Sequence, residues 1–168
     1  MLSRLADGTR VVIRPVRPDD KSLLAAGVPQ LSPESSRRRF LVVKPGLTTA
    51  ELRYLTEVDG EHHLAFVAVL ADEPRTLVGD GRYVRLPGDP TTAEVAVVVG
   101  DCLQGQGLGT RLGLLLADHA RASGIQRLSA TLLSDNVPAH RLFGKISQRF
   151  ETTREGALDQ MTAHLLAA

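Results

Sequence analysis

The chain of 168 residues is 43% hydrophobic and sets twenty basic residues against nineteen acidic ones, a formal charge of +1. That balance fits one globular domain spanning residues 1–168 and excludes a disordered polyelectrolyte, a non-specific nucleic-acid binder and, with no apolar run long enough, a membrane-spanning protein. A single cysteine, Cys102, forbids an internal disulfide, and the N-terminal segment, broken by Arg4, Asp7 and Arg10, lacks the apolar core of a secretion signal, so the cytoplasm is the expected compartment.

In chain order, Arg10 to Val16 reads as a first strand, entered through Asp7-Gly8. Pro18-Asp19-Asp20 opens a helix carrying Leu23, Leu24 and Val28. Ser32-Pro33-Glu34-Ser35 has the form of an N-cap with proline in the first turn, and starts a second helix through Arg37, Arg38 and Arg39 to Phe40. The three arginines form a basic patch, read as a solvated face with contact to phosphates as the alternative. A third helix, Ala50 to Val58, follows a cap at Thr48 or Thr49. His62 to Leu70, Arg75 to Leu86 and Thr92 to Gly100 are then three strands separated by proline and glycine turns, an antiparallel meander.

The best-defined helix places Leu108, Leu112, Leu115, Leu116 and His119 on one face and stops at Gly124. Beyond it come a strand from Ile125 to Leu133, a helix from Pro138 to Ile146, and a terminal hairpin of Arg149 to Thr153 and Ala157 to Leu166. The last run also scores as helical over Leu158 to Leu166. The fold class expected is mixed α/β, without repeats or an interdomain linker.

The chain's most informative stretch is Gln104-Gly105-Gln106-Gly107-Leu108-Gly109-Thr110, a glycine-rich turn between a strand and the leucine-rich helix. Glycines there allow a tight bend, and the unpaired amides and positive dipole end of the helix attract an anion. A dinucleotide fingerprint would need glycine where Thr110 stands, and the lysine of a P-loop is missing. Alternation along the preceding strand puts Thr92, Glu94, Ala96 and Val98 on one face, where an unpaired carboxylate among apolar residues is costly and therefore suggests a task.

The order Ala93-Glu94-Val95-Ala96-Val97-Val98-Val99, then the glycine turn, then Asn136 and Leu142-Phe143, resembles the GNAT superfamily of acyl-CoA-dependent N-acyltransferases. Asp7-Gly8-Thr9, Ile13-Arg14-Pro15, Pro18-Asp19-Asp20, Ser35 to Phe40, and Val58-Asp59 with His63 look like the bacterial protein-lysine acetyltransferases that modify acyl-CoA synthetases. The resemblance implies a GNAT fold, a mostly antiparallel sheet flanked by helices, in which the strand of Glu94 splays from the strand ending at Leu133. Pantetheine of acetyl-CoA would pair with the backbone of Val97, Val98 and Val99, while amides of Gln104, Gly105, Gln106, Gly107, Leu108, Gly109 and Thr110 would hold the pyrophosphate. Glu94 would be the base that removes the proton from an amine acceptor, since a lysine with a reference pKa of about 10.4 is protonated at neutral pH. Asn136 would hydrogen-bond the cofactor or cap a helix.

Phe143 stands where many of these enzymes carry a tyrosine near the departing sulfur. A phenyl ring cannot donate a proton, but a thiolate, with a thiol pKa of about 8.5, leaves without one. No metal is expected: His62 and His63 fall on opposite faces of a strand, and His119, His140 and His164 have no ligand spacing. Cys102 is read as a packed loop residue. The expected reaction is direct acetyl transfer to an amine, a protein lysine first, with no nucleic acid or membrane as partner and the oligomeric state open. The competing readings are a small-molecule amine acetyltransferase and a non-catalytic acyl-CoA sensor.

Overall fold

Strand pairing in the computed structural model, which describes residues 1–165, joins eight strands into one sheet of order β1-β2-β3-β4-β5-β6-β8-β7. The first two are β1 (Leu2–Arg4) and β2 (Arg10–Pro15), followed by helices α1 (Lys21–Gly27), α2 (Pro33–Phe40) and α3 (Thr49–Thr56). The meander is β3 (His63–Leu70), β4 (Leu77–Leu86) and β5 (Asp89–Val99); then come α4 (Leu108–Ala122), β6 (Arg127–Leu133), α5 (Val137–Ile146), β7 (Phe150–Glu155) and β8 (Leu158–His164). Every adjacent pair is antiparallel except β5 and β6, which a crossover through α4 makes parallel.

Local chemistry sets most helix starts. Ser32 Oγ accepts from the Ser35 amide at 3.2 Å with Pro33 in the first turn of α2, and Asn136 Oδ1 accepts from the Ala139 amide at 3.3 Å ahead of α5. Thr48 and Glu51 form a reciprocal capping box on α3. α2 ends where Leu41 turns into the left-handed region at φ +62°, a place where glycine is usual. By contrast α4, the longest helix, begins at Gly107 with no side-chain cap.

The sheet separates two packing regions. On one face α4 presses Leu108, Leu112 and Leu116, all 0% exposed, onto β4 and β5. It sits that close because β4 offers glycine there: a Cβ on Gly79 would lie 3.2 Å from Leu108 Cδ2, and one on Gly81 3.1 Å from Leu116 Cδ1. On the other face α1 and α3 cover a smaller cluster of Val16, Leu24, Leu55, Ala65 and Val67.

Several expectations need correction. β1 went unseen because three residues carry no period; it is held by Arg111, which donates to Ser3 Oγ and to Arg4 O. β5 starts at Asp89, earlier than Thr92, because Pro87 and Gly88 alone make the turn from β4. The expected terminal hairpin is observed as β7 and β8, and the alternative helical reading of the last run falls away: alternate residues Asp159, Met161 and Ala163 are buried against the sheet, a period of two; Leu166 lies outside the described residues.

Candidate functional site at a split between two strands

The parallel pairing of β5 with β6 lasts for three residue pairs, Thr92 with Arg127, Ala93 with Leu128 and Glu94 with Ser129. Past Glu94 the strands part: residues 95–99 stay paired with β4 while β6 continues with β8. One edge of residues 95–99, including Val97, Val98 and Val99, is therefore without a strand partner, and an extended chain can add there as a strand would.

Glu94 sits at the point of divergence. It is exposed and makes no hydrogen bond or ion pair among the described residues. The expected cost of burying it is thus absent; α2 and α3 leave this part of the sheet open, and the carboxylate is free to meet a substrate.

The glycine turn lies at the mouth of the same split. Gly105 and Gly107 have φ of +76° and +91°, and a Cβ at either would touch nothing within 4 Å, so backbone conformation rather than space selects glycine. Gly109 is ordinary helix. The amides of Gly105, Gly107, Leu108, Gly109 and Thr110 donate to nothing among the described residues, whereas those of Gln104 and Gln106 turn inward to Asp101 O and Leu103 O at 3.3 and 3.4 Å. Five free amides at an uncapped helix start fit a diphosphate. Lys145 Nζ donates to Thr110 Oγ1 at 3.2 Å, which brings a cation to the cradle from α5. Only the folded approach of α5 to α4 reveals it.

The side chain of Gln104 has another employment. Its Nε2 donates to Ser35 Oγ at 2.8 Å and to Val99 O at 3.1 Å. Asp101 beside it accepts from the Ser32 amide, Ser32 Oγ and Ser35 Oγ at 2.9, 2.6 and 2.7 Å. Burial opposes ionisation of Asp101, but the bonds from Ser32 and Ser35 outweigh it and hold the carboxyl below its ordinary range. These bonds tie the glycine turn to the start of α2.

Asn136 is buried and its side-chain oxygen caps α5. Phe143, 3% exposed, belongs to the main core. Cys102 is exposed, contrary to its reading as a packed residue, because it rides a short turn outside the sheet. His62 pairs with Asp59 at the surface while His63 is buried. Among the described residues no group of three or more His, Cys, Asp or Glu is placed to hold a metal ion, and no helix is long and apolar enough to cross a membrane.

Beside Glu94, on the same face, lies a buried polar cluster that residue counting did not find. Its signal was present: Asp80 and Arg82 alternate on one face in the middle of β4, and their register neighbours on β5 are Val98 and Ala96. Arg82, 3% exposed, donates Nε and Nη2 to Asp80 at 3.1 and 2.6 Å, and Nη1 to Leu55 O at 3.0 Å. The same Nη1 lies 3.1 Å from His63 Nε2, which must accept, so the imidazole is neutral with its proton on Nδ1. Burial, then the charge of Arg82, lowers the His63 pKa to about 4.

Arg39 approaches the cluster from α2 but reaches Asp80 only at 3.8 Å, and its Nε is buried without a partner among the described residues. Burial lowers its pKa from the ordinary value, against the pull of Asp80. Two guanidinium groups thus face one carboxylate, with Glu94 as the next negative charge. The arginine patch is not one solvated face: Arg37 is exposed, Arg38 pairs with Glu34, and Arg39 points inward.

Residues 33–147 match the model of the acetyltransferase (GNAT) family. The chain belongs to that family. It is 37% identical over 135 residues to acetyltransferase Pat of Mycolicibacterium smegmatis, a match covering 80% of this chain and 40% of Pat, so the chain corresponds to about two fifths of that curated relative. The fold agrees with the GNAT domain of S. lividans PAT at a TM-score of 0.86 and 25% identity, covering 98% of this chain and 96% of that one. A Salmonella typhimurium acetyltransferase, yncA, in a structure with its cofactor acetyl-CoA, shares the fold at a TM-score of 0.71 and 19% identity over 94% of this chain and 95% of that one. The mixed, mostly antiparallel sheet expected from the sequence is the one observed, and it is the fold of that family.

Proposed function

We propose that this protein transfers an acetyl group directly from acetyl-CoA to the side-chain amine of a protein lysine. The observation that carries the proposal is the divergence of β5 from β6 at Glu94, with the free amides of the glycine turn at its mouth. In this reading residues 97–99 hold the pantetheine arm, and the amides of Gly105 and Gly107 to Thr110, with Lys145 nearby, hold the pyrophosphate. Gln104 and Gln106 contribute their place in the turn, and Asn136 and Phe143 shape the wall behind it.

Glu94 takes a proton from the incoming ammonium. The free amine then attacks the thioester carbonyl, the C–N bond forms as the C–S bond breaks, the nitrogen sheds its surplus proton, the departing thiolate takes one up, and Glu94 returns its own proton to solvent. With an exposed base at the surface of the sheet, an acceptor on the surface of another protein can reach it. The likeness to Pat supports a protein acceptor, an acyl-CoA synthetase being the first to try, and the acetyl-CoA found with yncA supports the donor. Residues 1–168 act in this reading as one catalytic domain, working in the cytoplasm where acetyl-CoA is made and without a metal.

The test is incubation with acetyl-CoA, a panel of acyl-CoA synthetases and lysate proteins, followed by mass spectrometry. New acetyl-lysine that disappears with Glu94→Gln is the expected result. Thiol release with small amines alone would move the assignment to a small-molecule acetyltransferase, and binding of acetyl-CoA without thiol release toward any acceptor would make the chain a sensor.

A further inference from the structure

Gly105 and Gly107 stand at positive φ in the turn that faces the diphosphate. Glycine loses more conformational freedom on ordering than any other residue, so a turn built on it weakens ligand binding unless the fold orders it beforehand. Part of that ordering comes from the near side: Leu103 is buried in the main core, and the Ala6 amide donates to Gln106 O at 3.2 Å. On the side of α2, apolar packing cannot do the same. A cavity of about 290 Å³ opens there between α1, α2 and the facing ends of β4 and β5, with Leu31, Val98, Gly100, Asp101 and Cys102 among the residues around it.

Polar bonds span that side instead, and they converge on one buried hydroxyl. Ser35 Oγ donates to Asp101 Oδ1 at 2.7 Å and accepts from Gln104 Nε2 at 2.8 Å. The direction of each bond follows from the groups: an ionised carboxylate only accepts, so the single hydroxyl proton goes to Asp101 and a lone pair is left for Gln104. Ser32 adds its amide and its Oγ to Asp101 at 2.9 and 2.6 Å, and Gln104 Nε2 reaches on to Val99 O at 3.1 Å. Bonds to a carboxylate are charge-assisted and stronger than those between neutral groups.

The helix behind these bonds is itself held. Ser36, 1% exposed, accepts from the Lys44 amide at 2.8 Å, and Arg39, one turn beyond Ser35, is anchored inward toward Asp80. Asp101 and Gln104 flank the short turn that leads into the glycines, so both ends of that turn are fastened to the first turn of α2.

We propose that Ser35 is a positioning residue for the donor: through Asp101 and Gln104 it holds the glycine turn in its binding shape in the free protein, so that coenzyme A meets amides already set for its diphosphate. The inference rests on the donor reading above and gives α2 a part in donor affinity. Loss of the Ser35 hydroxyl removes a bond from Asp101 and one from Gln104, and the coenzyme A Kd rises about tenfold.

Titration calorimetry with coenzyme A on the full chain compares the wild type, Ser35→Ala, Asp101→Asn and the double variant. Asp101→Asn keeps the volume but turns an NH2 group toward the donors of α2, which breaks the same network. Each single variant should weaken binding about tenfold, and the double variant no more than the weaker-binding single, because both cut one set of bonds. With an acceptor from the mass-spectrometric panel, KM for acetyl-CoA should rise about tenfold in Ser35→Ala while kcat stays within about twofold. Wild-type affinity in Asp101→Asn overturns the inference and leaves the donor site standing, whether or not Ser35→Ala folds. Losses that add in the double variant, or a fall in kcat at unchanged affinity, overturn it too. A wild-type chain that binds no coenzyme A overturns the donor reading itself.

Discussion

The two faces of the sheet do different work on the same strand. Against α4, β5 is packed by leucines with no exposure, and β4 contributes glycines so that the helix can sit close. Against α1, α2 and α3, the neighbouring positions of β4 and β5 carry Arg82, Asp80 and Glu94, and a cavity stays open. Close packing on one side fixes the position of residues 95–99 after β6 has left them. The looser, polar side can then receive an acceptor without disturbing the strand that would bind the donor.

The contrast fails first at Glu94, where the largest effect is expected. Glu94→Gln should lower kcat/KM by about 10²–10⁴-fold and leave acetyl-CoA affinity unchanged. The loss should be greatest at low pH, because without a base the rate follows the free-amine fraction, which falls tenfold for each unit below the lysine pKa. A pH–rate profile that overlays the wild type would remove Glu94 from this role. Next, Leu112→Ala should cost about 2–5 kcal/mol of stability in denaturant titration, whereas Leu24→Ala, at the edge of a cavity that already exists, should fall at the low end of that range or beneath it. Equal losses would mean that the two faces are packed alike.

The polar face has its own signature in acid. Unfolded histidine takes up a proton near pH 6.5, but folded His63 does so near pH 4. Between those values the unfolded state binds more protons, so stability falls as pH drops from 6.5 to 4, by up to about 3 kcal/mol. His63→Gln should flatten that part of the curve. It should not touch the loss at lower pH that comes from carboxylates such as Asp59, held at about 2 by the amides of His63, Glu61 and His62. An unchanged slope between pH 6.5 and 4 would show that His63 is not the group titrating. The smallest effect expected is at the glycine turn, where Gly107→Asp combines a strained positive φ with an anion facing the diphosphate. Calorimetry should show acetyl-CoA affinity about tenfold to a hundredfold weaker with the core intact.

Much of this arrangement is legible in the sequence where signals are local. Ser32-Pro33 and Thr48 announce α2 and α3, the glycines at 105 and 107 announce a tight turn, and the alternation around Glu94 places it on one face of β5. What the sequence hides depends on distance through the fold. Lys145 approaches Thr110 only because α5 packs on α4, where a Cβ on Gly113 would come within 2.7 Å of Leu142. Gln104 looks like part of the anion turn but spends its side chain on Ser35, and Arg39 looks like one of three solvated arginines but turns toward Asp80. Identical residue types in a row carry no mark of which one the tertiary structure will bury.

The claim on which the rest depends is that the donor lies as an added strand in the split beyond Glu94. Amide hydrogen exchange with and without coenzyme A tests it most directly. Residues 95–99 and 105–110 should gain protection together on binding, while α3 and the β7–β8 hairpin stay unchanged. Protection that appeared elsewhere and left residues 95–99 exchanging as before would contradict the account.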